Sequence, residues 1–163
     1  MITLVLGGAR SGKSVVAERL AGRLPAPITY LATATVADPD FAARIAAHRA
    51  RRPASWRTVE AGAGLPAALR ATTGSVLVDA LGTWVASTPG FAVDAVDLCR
   101  AMVERGGDTV VVSDEVGLGV HPSTELGGRF RDVLGTVNQA VSAVADEAVL
   151  VIAGRGLRLD AIG

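Results

Sequence analysis

Residues 7–14 read Gly7-Gly8-Ala9-Arg10-Ser11-Gly12-Lys13-Ser14, and this stretch decides the fold, because it fits the pattern G-x-x-x-x-G-K-[ST] at every position. The apolar run Ile2–Leu6 precedes it and predicts a buried strand, while Ser14–Leu24 follows with the spacing of an amphipathic helix. Between a strand and a helix, the pattern is typical of a loop that wraps its backbone N–H groups around a phosphate. A chance glycine-rich turn is the alternative interpretation.

Lys13 and Ser14 give this loop its chemistry. In such loops the lysine reaches the β- and γ-phosphates of a nucleoside triphosphate, and the hydroxyl ligates Mg²⁺. Lys13 is the only lysine among the 16 lysine and arginine residues, which indicates a site where a compact ammonium is required. The sequence therefore predicts that residues 7–14 bind a nucleoside triphosphate, with Lys13 as a catalytic group.

Composition excludes several other classes of protein. Half of the 163 residues are hydrophobic and 20% are charged, a balance that excludes intrinsic disorder. The 16 basic and 16 acidic residues cancel, so no overall field favours nucleic acid or an anionic membrane. One cysteine, Cys99, excludes a disulfide framework, and the longest apolar runs fall far short of the roughly 18 residues that a membrane span needs. We expect residues 1–163 to form a single soluble, cytoplasmic, P-loop nucleotide-binding catalytic domain, without nucleic-acid partners or stable membrane insertion.

Strand and helix patterns alternate along the chain, which favours an α/β fold with a mostly parallel sheet flanked by helices. Continuous apolar runs predict buried strands at Ile2–Leu6, Ile28–Ala32, Ser75–Val78, Thr109–Ser113 and Ala148–Ala153. Helical spacing predicts helices over Ser14–Leu24, Asp40–Arg51, Val93–Arg105 and Ser123–Val144, the first with Val15, Val16, Leu20 and Leu24 toward one side. Pro53–Gly74 is the least regular segment, with a short strand at Thr58–Glu60.

Carboxylates follow two of the predicted strands. Asp79 ends the third, and Asp114 and Glu115 end the fourth. Because ligands bind at the carboxyl ends of strands in open α/β sheets, either end supplies a candidate Mg²⁺ ligand. We take Asp79 and Glu115 as candidates beside Ser14; the alternative is that these carboxylates are ordinary helix caps.

The chain has two histidines, and one of them lies in an arginine cluster. On a helix, His48 shares a face with Arg44, Arg51 and Arg52. A solvated basic helix end is one interpretation; a histidine nucleophile beside a guanidinium clamp for phosphates is the other, because nearby positive charge favours the neutral, nucleophilic imidazole. His121 lies in a turn-rich loop and is expected to be merely exposed.

Together these residues resemble the bifunctional adenosylcobinamide kinase/adenosylcobinamide-phosphate guanylyltransferase family. The resemblance runs from the first strand to Gly154. It rests on the phosphate loop and on the stretches Arg44-Ile45-x-x-His48-Arg49-x-x-Arg52-Pro53-x-x-Trp56-Arg57-Thr58-x-Glu60, Val78-Asp79 with Trp84, Glu115-Val116-Gly117-Leu118-Gly119-Val120-His121-Pro122 and Phe130-Arg131-Asp132 with Asn138-Gln139 and Ala145-Asp146-Glu147.

The resemblance implies a RecA-like P-loop fold and two reactions of coenzyme B12 biosynthesis. Adenosylcobinamide is phosphorylated by ATP or GTP, and GMP is then transferred from GTP, through a covalent histidine intermediate, to adenosylcobinamide phosphate. It implies that His48 carries the GMP, that Mg²⁺ takes part, and that subunits form a homotrimer. Beyond the phosphate loop, the implied nucleotide contacts are Ala32, Thr33, Ala34, Arg49, Ala50, Arg51, Arg52, Glu60 and Asp79.

Three positions depart from the family pattern. Ala80 and Gly82 stand where a cysteine and a threonine are common, and His121 stands where an aliphatic residue is expected. Two other functions are weighed: a monofunctional P-loop small-molecule kinase, and a GTP-binding regulator without group transfer. GTP-binding regulators commonly read guanine with an N-K-x-D segment, which this chain lacks because Lys13 is its only lysine.

Overall fold

The computed structural model describes residues 1–34 and 52–162, which form a seven-stranded sheet with helices on both faces. Short 3₁₀ turns occupy Gly62–Gly64 and Pro89–Phe91. The longer elements, in chain order, are β1 (Ile2–Gly7), α1 (Lys13–Ala21), β2 (Ile28–Ala32), β3 (Arg57–Glu60), α2 (Leu65–Ala71), β4 (Ser75–Asp79), α3 (Leu81–Ser87), α4 (Ala95–Glu104), β5 (Thr109–Asp114), α5 (Glu125–Val144), β6 (Glu147–Ile152) and β7 (Arg155–Leu159).

The strand order is β3-β2-β4-β5-β1-β6-β7, and every pair is parallel except β6 with β7. This confirms the predicted α/β class with a mostly parallel sheet. Since β5 lies between β1 and β4, the loops after these three strands open at one edge of the sheet, side by side.

Alternate residues of the central strands fill two cores, one on each face of the sheet. Leu4, Val78 and Val111 point toward the layer that contains α2 to α5, while Val5 and Val112 point toward α1. The continuous apolar strand runs arise because both faces are covered. The predicted helix over Ser123–Val144 is confirmed as α5, which buries Leu134, Val137 and Val141. No helix within the described ranges is long and apolar enough to cross a bilayer.

The apolar side predicted for residues 14–24 is confirmed except at one position. Val16, Leu20 and Leu24 pack against the core on this face of the sheet, whereas Val15 is 36% exposed. Ala17 and Ala21 are fully buried in the same contact. Their small side chains let the helix that starts at the phosphate loop lie close to the strands. The helix predicted over Asp40–Arg51 lies outside the described residues.

Three elements were not anticipated. Leu65–Ala71 and Leu81–Ser87 are helices of seven residues each, too short for a helical period to stand out in the sequence. The second of them buries Trp84, whose indole N–H donates to the Ala63 carbonyl at 3.0 Å. The third is β7, which turns back from β6 through Ala153 and Gly154.

The turn between β6 and β7 carries a conformational cost. Both of its central residues have positive φ, 51° at Ala153 and 77° at Gly154, as a two-residue turn of type I′ requires. Glycine adopts this region freely, whereas an alanine there is strained by roughly 1–2 kcal/mol.

Replacing Ala153 with asparagine should stabilise the protein. Asparagine tolerates the left-handed region, so Ala153→Asn should raise the free energy of unfolding by about 0.5–1 kcal/mol in urea denaturation. Ala86→Asn is the matched control. That alanine is also exposed but lies within α3, where asparagine is the poorer helix former, so stability should fall. A loss of stability in both variants would contradict the turn assignment.

Candidate functional site

The loop between β1 and α1 is compact because two of its glycines have no room for a side chain. A Cβ on Gly7 would lie 2.8 Å from the Val151 carbonyl oxygen, and Gly12 has a φ of 91°. The Ser11 N–H donates to the Gly8 carbonyl at 3.2 Å, which closes the turn. The glycines of the motif thus serve the geometry for which the pattern selects them.

The hairpin turn that the sequence did not reveal braces this loop. The Gly154 N–H donates to the Ser11 carbonyl at 2.7 Å, and a Cβ on Gly12 would lie 3.2 Å from the Gly154 Cα. The loop is therefore held from two sides: by the end of its own strand, and by the turn between β6 and β7.

Lys13, at the first turn of α1, makes an ion pair with a strand-end carboxylate. Its Nζ lies 2.8 Å from Oδ1 of Asp114 and 3.3 Å from the carbonyl oxygen of Gly8. The side chains are 13% and 35% exposed, so the lysine is largely shielded and the aspartate is open to solvent on one side. The ammonium that the motif assigns to phosphates contacts protein oxygens here.

The Asp114 backbone is fixed opposite the start of the loop. Asp114 pairs with Gly7 in the β1–β5 register, and the Glu115 N–H donates to the Gly7 carbonyl at 3.1 Å. The Asp114 carbonyl accepts a hydrogen bond from Asn138 Nδ2 at 3.0 Å, and Ser113 Oγ donates to Asn138 Oδ1 at 2.6 Å. Helix α5 thus positions the end of β5 through the side-chain amide of Asn138.

Asp79, at the end of β4, is held by Tyr30 of the neighbouring strand. The Tyr30 hydroxyl donates to Asp79 Oδ2 at 2.5 Å. Burial, followed by the charge of Asp79, raises the pKa of Tyr30 well above its usual value, so the phenol keeps its proton and acts as a donor. This hydrogen bond fixes the carboxylate at the edge of the sheet.

Arg52 covers the same tyrosine. Its guanidinium carbon lies 3.5 Å from the centre of the Tyr30 ring, a cation–π contact, and its Nη1 donates to Thr58 Oγ1 at 3.3 Å. Arg52 follows His48 by four positions in the sequence, and its contact with Tyr30 places it beside the residue that holds Asp79.

Thr33 and Thr83 secure the chain where it leaves β4. Their hydroxyls lie 2.5 Å apart, and each is within hydrogen-bonding distance of both the amide and the carbonyl of Ala80. Thr33 is fully buried. Its hydroxyl therefore supports the backbone beside Asp79, and nucleotide contact by this residue stays a prediction.

The remaining predicted residues fall into three groups. Ala32 and Glu60 lie at the ends of β2 and β3, at the same edge of the sheet as the phosphate loop, and Ala34 lies two residues beyond β2. Ala9 and Arg10 are exposed on the loop, and Ser14 lies in the first turn of α1. Glu115 folds onto its own loop, accepting from the N–H groups of Gly117 at 2.7 Å and Leu118 at 3.1 Å. His48, Arg49, Ala50 and Arg51 lie outside the described residues.

The oxygen ligands near the loop suit a magnesium ion that binds together with a nucleotide. Across residues 1–34 and 52–162, no three of the aspartate, glutamate, histidine and cysteine side chains form a cluster able to hold a metal ion. Mg²⁺ in phosphate-transfer sites is commonly held by one or two protein oxygens together with phosphates and water. The Ser14 hydroxyl and the Asp79 carboxylate are donors of this type.

A cleft of about 490 Å³ opens beside the site, between α5 and the loop that follows β5. Leu6, the residue before the phosphate loop, forms part of its wall. Most of its other lining is polar: Glu115, Arg131, Asp132, Thr136, Asn138 and Gln139. The cleft therefore reaches the carboxyl end of β1, next to the start of the phosphate loop.

Sequence reasoning missed Tyr30 and Thr83 as parts of the site. Tyr30 is an inner residue of an apolar strand run, and Thr83 lies in a helix too short to predict. No local pattern marks either residue, because each reaches the site only through the pairing of β2 with β4. His121 is exposed as expected, with Nδ1 2.9 Å from the Pro122 carbonyl oxygen.

Comparison with known proteins gives a family match and a fold match. The fold resembles "a prototypical ATPase from the type III secretion system of pathogenic bacteria", with a TM-score of 0.56 and 10% identity over 91% of this chain and 50% of that one. This likeness supports the predicted P-loop fold alone.

Relatives in sequence match over nearly the full length. The chain is 39% identical to the bifunctional adenosylcobalamin biosynthesis protein CobP of Pseudomonas aeruginosa, over 94% of both chains. It is 36% identical to the bifunctional adenosylcobalamin biosynthesis protein CobU of Salmonella typhimurium, over 98% of this chain and 99% of that one. The family model described as cobinamide kinase / cobinamide phosphate guanyltransferase matches residues 3–159, and the chain therefore belongs to this family.

Proposed function

We propose that the chain catalyses two successive reactions at one phosphate loop. It phosphorylates the aminopropanol hydroxyl of adenosylcobinamide with ATP or GTP, and it then transfers GMP from GTP to that phosphate to give adenosylcobinamide-GDP. The observation that carries the proposal is the Lys13 ammonium beside a strand-end carboxylate, in a chain that belongs to the cobinamide kinase / cobinamide phosphate guanyltransferase family.

The nucleotide binds along the carboxyl edge of the sheet. Backbone N–H groups of the loop and the N-terminus of α1 hold the phosphates, and Lys13 neutralises charge that develops on the leaving group. Ser14 and Asp79 hold Mg²⁺, which supplies Lewis-acid charge stabilisation when bound. The proposed nucleotide contacts are residues 7–14, Ala32, Thr33, Ala34, Arg49, Ala50, Arg51, Arg52, Glu60 and Asp79; Glu115 stays a weaker metal candidate, because its carboxylate binds loop amides.

His48 acts as the nucleophile of the guanylyl step. Its neutral ring nitrogen attacks the α-phosphorus of GTP, so that a P–N bond forms and the bond to pyrophosphate breaks. An oxygen of the corrinoid phosphate then attacks the same phosphorus and releases the histidine. Arg52 supports this role: it follows His48 by four positions, which limits the distance between their Cα atoms to about 14 Å, and it stacks on the tyrosine that holds Asp79.

The homotrimer implied by the family resemblance and the cytoplasmic location expected from the composition are part of the same proposal. We also propose that the γ-phosphate is transferred in the kinase step, and that the α-phosphate then reacts in the guanylyl step.

Lys13→Ala should abolish both activities and leave the fold intact. Removing one preorganised charge from a transition state typically lowers kcat by about 10²–10³. Both steps are measured with adenosylcobinamide and GTP, and folding by circular dichroism. Near-normal turnover by the folded variant would contradict the phosphate-loop assignment.

Asp79→Asn should weaken Mg²⁺–GTP binding, by about ten- to a hundredfold if Asp79 and its support orient the metal. Calorimetric titration with and without Mg²⁺ gives the two affinities, and thermal unfolding gives stability. Tyr30→Phe is the matched variant: it keeps the carboxylate but removes the hydrogen bond to it, so its effect should have the same direction and be smaller. Unchanged affinity together with lowered stability would instead make Asp79 a structural residue.

The nucleophile is tested by labelling. GTP labelled at the α-phosphate should leave label on the protein, whereas γ-labelled GTP should not, and the adduct should be acid-labile and alkali-stable. His48→Ala should lose the label and guanylyl transfer but retain kinase activity, while His121→Ala, the matched control, should still label. Labelling that persists in His48→Ala would exclude His48, and an active wild-type enzyme without any adduct would favour the monofunctional kinase.

A further inference from the structure

The ion pair between Lys13 and Asp114 engages the Lys13 ammonium, which is the group that would bind the phosphates. Two of the three donors of an ammonium can be engaged at once by Asp114 Oδ1 at 2.8 Å and the Gly8 carbonyl at 3.3 Å. In the family mechanism proposed above, a triphosphate must take over these donors, and it meets the negative charge of Asp114 as it does so.

The Asp114 carboxylate reaches this position because Gly82 has no side chain. A Cβ built on Gly82 would collide with Asp114 Oδ2, while the nearest atom outside Asp114, Leu134 Cδ2, lies at an ordinary contact distance of 3.6 Å. The colliding atom is the end of a rotatable side chain, so a methyl group at position 82 displaces the carboxylate and leaves the backbone in place. Gly82 is one of the positions at which this sequence departs from its family pattern.

The Asp114 backbone cannot move away to compensate. Asn138 holds its carbonyl at 3.0 Å, and the next N–H is bonded to Gly7, so only the side chain is free to turn. The carboxylate is therefore presented to Lys13 by a fixed strand end on one side and a glycine on the other.

We propose that Asp114 is a positioning residue: its carboxylate holds the Lys13 ammonium until a metal-bound nucleotide takes the place of the carboxylate. Gly82 allows this contact because it has no side chain. Like charges repel, so the carboxylate opposes a bare triphosphate more strongly than one whose charge Mg²⁺ has partly neutralised. Asp114 thereby makes nucleotide binding depend on the metal. The inference rests on the proposed function only in assuming that GTP binds at Lys13.

Removing the charge should favour the bare nucleotide. In Asp114→Asn, the dissociation constant of GTP in EDTA should fall roughly two- to fivefold, the range expected for a partly exposed ion pair, and that of Mg²⁺–GTP should change less. Gly82→Ala should act in the same direction with a smaller effect, since the charge is moved and not removed. Asp97→Asn, which breaks an exposed ion pair with Arg70, is the matched control and should change neither constant.

The lysine itself provides a second readout. Because Lys13 is the only lysine, protein grown with ¹³C-labelled lysine gives a single Cε signal by nuclear magnetic resonance. That signal should shift in Asp114→Asn and Gly82→Ala and remain in place in Asp97→Asn. A signal that stays in place in both site variants would overturn the proposed contact.

The outcomes separate this inference from the proposed function. If Lys13→Ala abolishes GTP binding but Asp114→Asn leaves the metal-free affinity unchanged or weaker, the inference alone fails. If Asp114→Asn weakens Mg²⁺–GTP more than metal-free GTP, Asp114 is a metal ligand and the inference also fails. If Lys13→Ala both binds GTP and turns over as the wild type does, both fail. If Asp114→Asn behaves as expected while His48→Ala still takes the α-label, the inference holds and the guanylyl route fails.

Discussion

The site depends on one constraint: the Lys13 ammonium must be held in position beside carboxylates at the edge of a parallel sheet. Parallel strands bring their carboxyl ends to one edge, and β1, β5 and β4 end there in Gly7, Asp114 and Asp79. Each carboxylate has a partner of its own, Lys13 for Asp114 and Tyr30 for Asp79. Partly buried charges are costly unless they are paired, so these contacts lower the free-energy cost of holding the carboxylates at this edge.

The neighbours of the loop act mainly as supports. Asn138 fixes the end of β5, Thr33 and Thr83 fix the chain after β4, and Gly154 contacts the phosphate loop itself. None of these groups needs to touch a substrate to matter, because a phosphate loop works through the geometry of its backbone N–H groups. A displacement of about 1 Å in such a site is enough to lower catalysis severely.

Arg52 connects the chain that follows His48 to Tyr30, the residue that holds Asp79. Arg52 stacks on Tyr30, and Tyr30 donates to Asp79, so Arg52 and Asp79 are linked through an aromatic ring. The raised pKa of Tyr30 keeps this link a hydrogen-bond donor throughout the physiological pH range. The contact joins β2 and β4 of the sheet to the chain that precedes β3.

Local sequence was sufficient to predict the phosphate loop, five strands and the α/β class, because each is encoded by neighbouring residues: glycine spacing, continuous apolar runs and turn signals. Burial was predicted correctly for four of these strands; in β6 only Val151 is buried and Ile152 is exposed. It also indicated which carboxylates end strands. It could not show that Tyr30 holds Asp79, that Asp114 pairs with Lys13, or that the turn at Ala153 and Gly154 braces the loop. These contacts join residues from 49 to more than a hundred positions apart. They are fixed by the strand order β2-β4-β5-β1-β6 and by the absence of a side chain at Gly82, so only the packed sheet determines them.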